Sequence, residues 1–170
     1  ISVQRVIVHE KVMANFLDAL KPRVEAIKVG DPKSADTKVG TLISEKEAIR
    51  VEKSIATAVS EGATLLTGGA RTGAIVQPAI VCGVNPKSAF AQDELFGPAI
   101  AVSSTTGITD AIAIANDSAY GLGAGVFTKN MDNSIQAARE LDAGSIHINW
   151  TPLWRADLMP YGGLKSSGIG

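Results

Sequence analysis

Short β-branched runs alternate with stretches of helical apolar spacing along nearly the whole chain, and that alternation is the tightest constraint on its fold. Residues 2–9 carry Val3, Val6, Ile7 and Val8 and read as a buried strand. Across residues 10–26, Val12, Phe16, Leu20 and Val24, followed by Ile27, recur at helical spacing, and Pro22 is expected to kink or divide that helix. Gly30, Asp31 and Pro32 form a turn, and residues 36–42 read as loop. Ser44 with Glu47 three residues on writes a capping box, ahead of a helix that presents Ala48, Val51, Ile55, Ala58 and Val59 on one face and ends at Gly62. Further strands are expected at residues 63–66, 76–81, 99–103, 121–127 and 145–149. Thr109 should cap a helix bearing Ile112 and Ala115. Asp132 or Asn133 should start another, bearing Ile135, Ala138 and Leu141 and closed by Gly144. This succession implies an α/β fold with an open, largely parallel sheet flanked by helices. Ligands of such sheets gather at the carboxyl ends of strands, where residues 93–98 and 149–170 are expected to fall.

Composition narrows the function. With 170 residues, 45% of them hydrophobic and 19% charged, the chain can bury a core of ordinary size. A formal net charge of -1 with no Lys/Arg cluster argues against nucleic acid or an anionic membrane as partner. No apolar run is long enough to span a bilayer. The single cysteine excludes an internal disulfide framework and is compatible with a reducing, cytoplasmic setting. Ile1 opens directly on the first strand, and the chain stops at Gly170 inside a glycine-rich run, so both ends are expected to be cuts in a longer enzyme.

Several motif lookalikes fail. Gly163-Leu164-Lys165-Ser166 lacks the glycine before the lysine that a P-loop needs. Gly121-Leu122-Gly123-Ala124-Gly125 has the wrong spacing for a dinucleotide fingerprint and leads into a strand. His9 and His147 have no second ligand at metal spacing and read as structural, so no metal site is expected. Cys82 follows an apolar strand with no cationic neighbour, and reads as a small buried hydrophobe. No catalytic nucleophile is therefore expected within the chain.

Glu94-Leu95-Phe96-Gly97-Pro98 has a chemical logic. In an extended segment Glu94 and Phe96 point to the same side. The carboxylate can accept hydrogen bonds from a vicinal diol such as a ribose, and the ring can pack against a flat heterocycle. Gly97 allows close approach of backbone or ligand, and Pro98 fixes the exit.

Taken with Val29-Gly30-Asp31-Pro32, Glu61-Gly62-Ala63, Gly68-Gly69, Asn116, Tyr120-Gly121-Leu122, Ala143-Gly144-Ser145, Asn149 and Pro160-Tyr161-Gly162-Gly163-Leu164-Lys165-Ser166-Ser167-Gly168, that segment resembles the aldehyde dehydrogenase superfamily. The resemblance runs from end to end and matches the carboxyl-terminal part of the catalytic domain. It implies that Glu94 binds the nicotinamide-ribose hydroxyls of NAD or NADP and that Phe96 packs near the nicotinamide. Asn149 and the following loop would form the wall of the aldehyde tunnel, with Trp150, Trp154, Arg155 and Tyr161 as variable lining. It further implies a parent enzyme that oxidises an aldehyde to an acid through a cysteine thioester, in a homo-oligomer. The nucleophilic cysteine would stand just before Ile1. The general base, the oxyanion-holding Asn, the cofactor-binding domain and the subunit-joining strand would all lie in the remainder of the parent chain. Residues 1–170 would be a partial catalytic domain, inactive alone.

Arg155, just after Trp150 and Trp154, could recognise a distal carboxylate or phosphonate on the substrate, or stack on Trp, or pair with Asp157. Three other readings stay open: a CoA-acylating relative, a non-catalytic nucleotide- or protein-binding module, and an unrelated hydrolase or transferase built on Cys82.

Overall fold

A computed structural model describes residues 2–170, which fall into two compact units: residues 4–104, and residues 105–170 together with the first residues of the chain. In the first unit, β1 (Arg5–His9), β2 (Thr64–Thr67), β5 (Ala79–Cys82) and β6 (Ala99–Thr105) form a four-stranded sheet in the order β1-β6-β5-β2. β5 and β6 are parallel, with Ala79 opposite Ala99 and Cys82 opposite Val102. β2 runs antiparallel on the edge, with an irregularity between Leu65 and Thr67.

Strand periodicity divides the interior into two cores. Ala79, Val81, Ala99 and Ala101 point to one face, where α2 (Glu45–Ser60) buries Ala48, Val51, Ile55 and Ala58 against them. Ile80 and Val102 point to the other, joining Val8 beneath Met13, Phe16, Leu17 and Leu20 of α1 (Glu10–Glu25). Helices on both faces of a mostly parallel sheet give the expected α/β class.

Local chemistry explains where the boundaries differ from expectation. α1 is not divided by Pro22. The proline lies in the last turn, where only one intrahelical bond is forfeited, and Ala26 N–H still donates to Pro22 O at 3.1 Å. Ser44 does cap α2, accepting from Glu47 N–H at 3.3 Å, but the Glu47 carboxylate turns to Arg50 Nε at 2.7 Å instead of completing the box. The run expected as one strand over 76–81 is broken at Pro78. Ile75–Val76 (β4) instead forms a hairpin with Arg71–Thr72 (β3). A short helix, α3 (Ala89–Gln92), was not expected.

In the second unit, β8 (Gly123–Val126) and β9 (Ser145–Ile148) are parallel and joined through α5 (Met131–Glu140). β7 (Tyr120–Gly121) pairs antiparallel with β10 (Leu164–Lys165). The helix α4 (Ile108–Asn116) is not capped by Thr109, which lies inside it. Asp110 reaches back, accepting from Thr106 N–H at 3.0 Å and Thr105 Oγ1 at 2.9 Å. Those bonds, the backbone one foremost, hold its carboxyl below the usual range. Asn130, two or three residues earlier than expected, caps α5 by accepting from Asp132 and Asn133 N–H. α5 ends at Glu140, before Gly144.

Among the described residues no helix is long and apolar enough to cross a membrane.

Ile80 is fully buried at the centre of the sheet whereas Ile43 is 94% exposed. Ile80→Ala should cost about 2–5 kcal/mol in urea denaturation. Ile43→Ala should stay within about 0.5 kcal/mol.

Candidate functional site

Residues 93–98 are held from beneath by two side chains far away in sequence. Gln4 Oε1 accepts from Leu95 N–H at 2.8 Å, and its Nε2 donates to Asp93 O. Arg50 Nη2 donates to Leu95 O at 2.6 Å. Leu95 is buried between an exposed Glu94 and an exposed Phe96, so the two candidate side chains do share the outward face. The segment is not extended throughout, however. Phe96 has φ 51°, in the left-handed region that costs a bulky residue free energy and is found where surrounding structure enforces it. Its ring is 79% exposed.

The Glu94 carboxylate takes no hydrogen bond or ion pair from any described residue, so its lone pairs are available to a ligand. A free carboxylate and an uncovered ring on a pinned backbone fit the ribose and flat base of a nicotinamide cofactor.

Two expectations about this segment need correction. It stands at the amino edge of the parallel pair, not at the carboxyl ends, because Pro98 O accepts from Ala79 N–H at the start of β5. Gly97 admits a side chain of the protein itself, since a Cβ there would lie 2.6 Å from Val51 Cγ2.

Residues 149–161 leave the carboxyl end of β9, as expected. Asn149 has φ 54°, a conformation Asn tolerates better than most residues. Its N–H donates to Val126 O at 2.7 Å and its Oδ1 accepts from Thr128 N–H at 2.8 Å, so the side-chain oxygen is committed to shaping the exit. Trp154 meets buried His147 edge-on, with centroids 6.2 Å apart. Arg155 lies over Tyr161, its Cζ 4.9 Å from the ring centroid. It therefore stacks on a tyrosine instead of a tryptophan, and no ion pair with Asp157 forms. Trp150, Trp154 and Arg155 are exposed and Tyr161 is half-buried. These residues do not enclose a cavity within the unit. Of them only Asn149 borders the groove of about 550 Å³ that runs between α5 and the end of β9 past Met131, Ile135 and Ile148.

Cys82 ends β5 half-buried, packed against the Ile80 and Val102 core, and burial pushes its thiol up. That environment disfavours a nucleophilic thiolate. His9 caps α1, its Nδ1 accepting from Lys11 N–H at 3.2 Å.

The aldehyde dehydrogenase family model matches residues 1–170, and the chain belongs to that family. It is 42% identical over its whole length to the 3-sulfolactaldehyde dehydrogenase of Priestia aryabhattai, covering 36% of that protein. The crystal structure of aldehyde dehydrogenase 21 from Physcomitrella patens, in complex with the reaction product succinate, is similar over 98% of this chain and 34% of its own, at 35% identity and a TM-score of 0.94. The glyceraldehyde-3-phosphate dehydrogenase GapN from Methanocaldococcus jannaschii, complexed with NADP, is similar over 98% of this chain and 36% of its own, at 36% identity and a TM-score of 0.92. The chain thus spans about a third of the length of the relatives it matches.

Gln4 and Arg50 carry no local signal of their role, since their partners lie 91 and 45 residues away.

A raised thiol pKa at a half-buried position predicts that Cys82 reacts with a disulfide reagent at pH 8 about tenfold slower than a small free thiol, a rate read directly from thionitrobenzoate release.

Proposed function

We propose that this chain supplies the cofactor-positioning and substrate-wall surfaces of an NAD(P)-dependent aldehyde dehydrogenase, as part of the catalytic domain of a longer, cytoplasmic, homo-oligomeric enzyme. The reaction is oxidation of an aldehyde to a carboxylic acid through a thioester on a cysteine outside these 170 residues. The cofactor-binding domain and the subunit-joining strand belong to the remainder of that chain. The observation that carries this reading is backbone conformation. Phe96 and Asn149, one in each candidate segment, are two of the three non-glycine residues with positive φ among the described residues.

When bound, NAD or NADP supplies the hydride acceptor. The exposed Glu94 carboxylate would hold it by accepting hydrogen bonds from its ribose hydroxyls, and Phe96 would pack on its flat base. Because Gln4 and Arg50 already fix the backbone on either side of Glu94, little freedom is lost on binding. Hydride transfer needs near-contact geometry, so this rigidity contributes to rate. Asn149 sets the path of the loop as it leaves β9, and Trp150, Trp154, Arg155 and Tyr161 face the aldehyde.

Glu94→Ala in the whole enzyme should slow hydride transfer roughly 10- to 100-fold, with a smaller change in the aldehyde KM. Unchanged turnover together with an unchanged cofactor KM would remove the assignment.

Arg155 narrows the substrate class. Its guanidinium rests on an aromatic face, unpaired with Asp157, which leaves its in-plane N–H fork free for a planar or tetrahedral anion. Of the similar proteins, one is named for 3-sulfolactaldehyde and another is in complex with the reaction product succinate, and both compounds carry an acidic group. The substrate is accordingly a short aldehyde bearing a distal carboxylate, sulfonate or phosphonate. A charged aldehyde should exceed its neutral isostere in kcat/KM by roughly 10-fold or more, and Arg155→Leu should erase the difference. Equal efficiency for the two in the unaltered enzyme would exclude the charge preference.

A further inference from the structure

Lys165 is the third non-glycine residue held at positive φ, at 55°, and it lies past residues 93–98 and past the loop of residues 149–161, near the end of the second candidate segment. Its Nζ lies 2.7 Å from the carbonyl oxygen of Asn116, the last residue of α4, and 3.0 Å from Asp142 Oδ2. Carbonyls in the last turn of a helix lack intrahelical partners and carry the negative end of the helix dipole, which favours an ammonium there; the Asn116 oxygen also accepts from Ser118 N–H at 2.8 Å. The Asn116 side chain extends the junction: its Nδ2 donates to the carbonyl of Glu140, the last residue of α5, at 2.7 Å, and its Oδ1 accepts from Asp142 N–H at 2.9 Å. The cation therefore sits on the carboxyl end of α4, which the Asn116 side chain ties to the carboxyl end of α5.

The same lysine belongs to a hairpin that is otherwise fastened, among the described residues, by backbone and small polar groups. Gly163 N–H donates to Gly168 O at 2.7 Å, Ser166 N–H to Ala119 O at 2.9 Å, and Gly121 N–H to Ser167 Oγ at 2.9 Å. The hairpin is seated tightly enough that a Cβ on Gly144 would stand 1.8 Å from Gly162 O. Between Asn149 and this hairpin runs the Trp150–Tyr161 loop. Leu153 and Leu158 in it are half and fully exposed, so apolar burial does little to hold its middle.

We propose that Lys165 is a positioning residue: its ammonium, lodged where the carboxyl ends of α4 and α5 converge, fixes the Gly162–Gly168 hairpin and through it the Trp150–Tyr161 loop. That the loop faces an aldehyde rests on the function proposed above; that Lys165 orders it does not.

The test uses a feature of the sequence: Trp150 and Trp154, both in this loop, are the only two tryptophans of the chain. In the 170-residue chain, Lys165→Met should raise acrylamide quenching of tryptophan emission about twofold with the far-UV circular dichroism unchanged, while Lys165→Arg, which keeps a cation, should stay near the unaltered value. Quenching of Lys165→Met equal to the unaltered chain overturns the proposal. So does Lys165→Arg as loose as Lys165→Met. Should Lys165→Met lose its helical signal, Asp142→Asn takes its place, since it removes one partner of the ammonium and keeps the Asn116 carbonyl; an intermediate rise supports the proposal and no rise overturns it. In the whole enzyme, Lys165→Met should raise the aldehyde KM several-fold and leave the cofactor KM alone, and a parallel rise in both would count against a role in the loop. A whole enzyme with no aldehyde activity would defeat the proposed function and leave the quenching result standing.

Discussion

The parallel pairing of β5 with β6 is the contact on which the rest of residues 4–104 depends. In register, it lines up Ala79, Val81, Ala99 and Ala101 on one face and Ile80, Cys82, Ile100 and Val102 on the other. The first face is mostly alanine, and small residues let α2 approach closely; Val51 of that helix comes near enough to the chain that only glycine is accommodated at position 97. The second face is larger and is covered by the longer side chains of α1. A shift of one residue in this register would exchange the two faces and pack neither helix. The same pairing fixes the amino edge of the sheet, which is where Glu94 and Phe96 emerge.

A left-handed Phe costs of order 1–3 kcal/mol and persists only where surrounding contacts outweigh it. Here the compensation is visible one residue away. Leu95 buries its side chain, and both its backbone polar groups are satisfied, the N–H by Gln4 and the C=O by Arg50. With Leu95 locked, the chain must turn sharply to reach Pro98, whose carbonyl is tied to Ala79, and Phe96 absorbs the turn. Asn149 reaches the same region by another route, for its side-chain oxygen supplies Thr128 N–H with an acceptor as β9 ends. One strained residue is forced by its neighbours and the other is suited to its place.

Much of this architecture was legible in the sequence because periodicity reports burial directly. The spacing of Ala48, Val51, Ile55, Ala58 and Val59 named the inner face of α2; the first four are buried, while Val59, 41% exposed, sits past its edge. What was not legible depends on groups distant in sequence or on competition between nearby caps. Thr109 looked like a helix start, yet Asp110 makes stronger, charge-assisted bonds back to Thr105 and Thr106 and moves the boundary to Ile108. Gly144 looked like a helix stop; its smallness answers to the carbonyl of Gly162, eighteen residues on. The candidate segments were found through the order of motifs, but nothing in Glu94-Leu95-Phe96 announced that Gln4 would support it or that Phe96 would leave the extended region.

The two candidate segments differ in how they are held, and the difference matches the demands of the proposed chemistry. Three side-chain bonds from Gln4 and Arg50 fix the backbone of residues 93–95 to the sheet and α2. Residues 150–161 are held by turn-internal bonds, such as Leu153 N–H to Thr151 Oγ1 at 3.2 Å, and by ring contacts from Trp154 to His147 and from Arg155 to Tyr161. A reaction that moves hydride must hold its cofactor to within fractions of an ångström whatever the substrate, so the groups that do so belong on a braced backbone. Substrate choice requires only that a loop be anchored at its ends while its side chains vary. In the function proposed above, bracing the first segment through the fold and the second more loosely would let selectivity change without disturbing the geometry of hydride transfer.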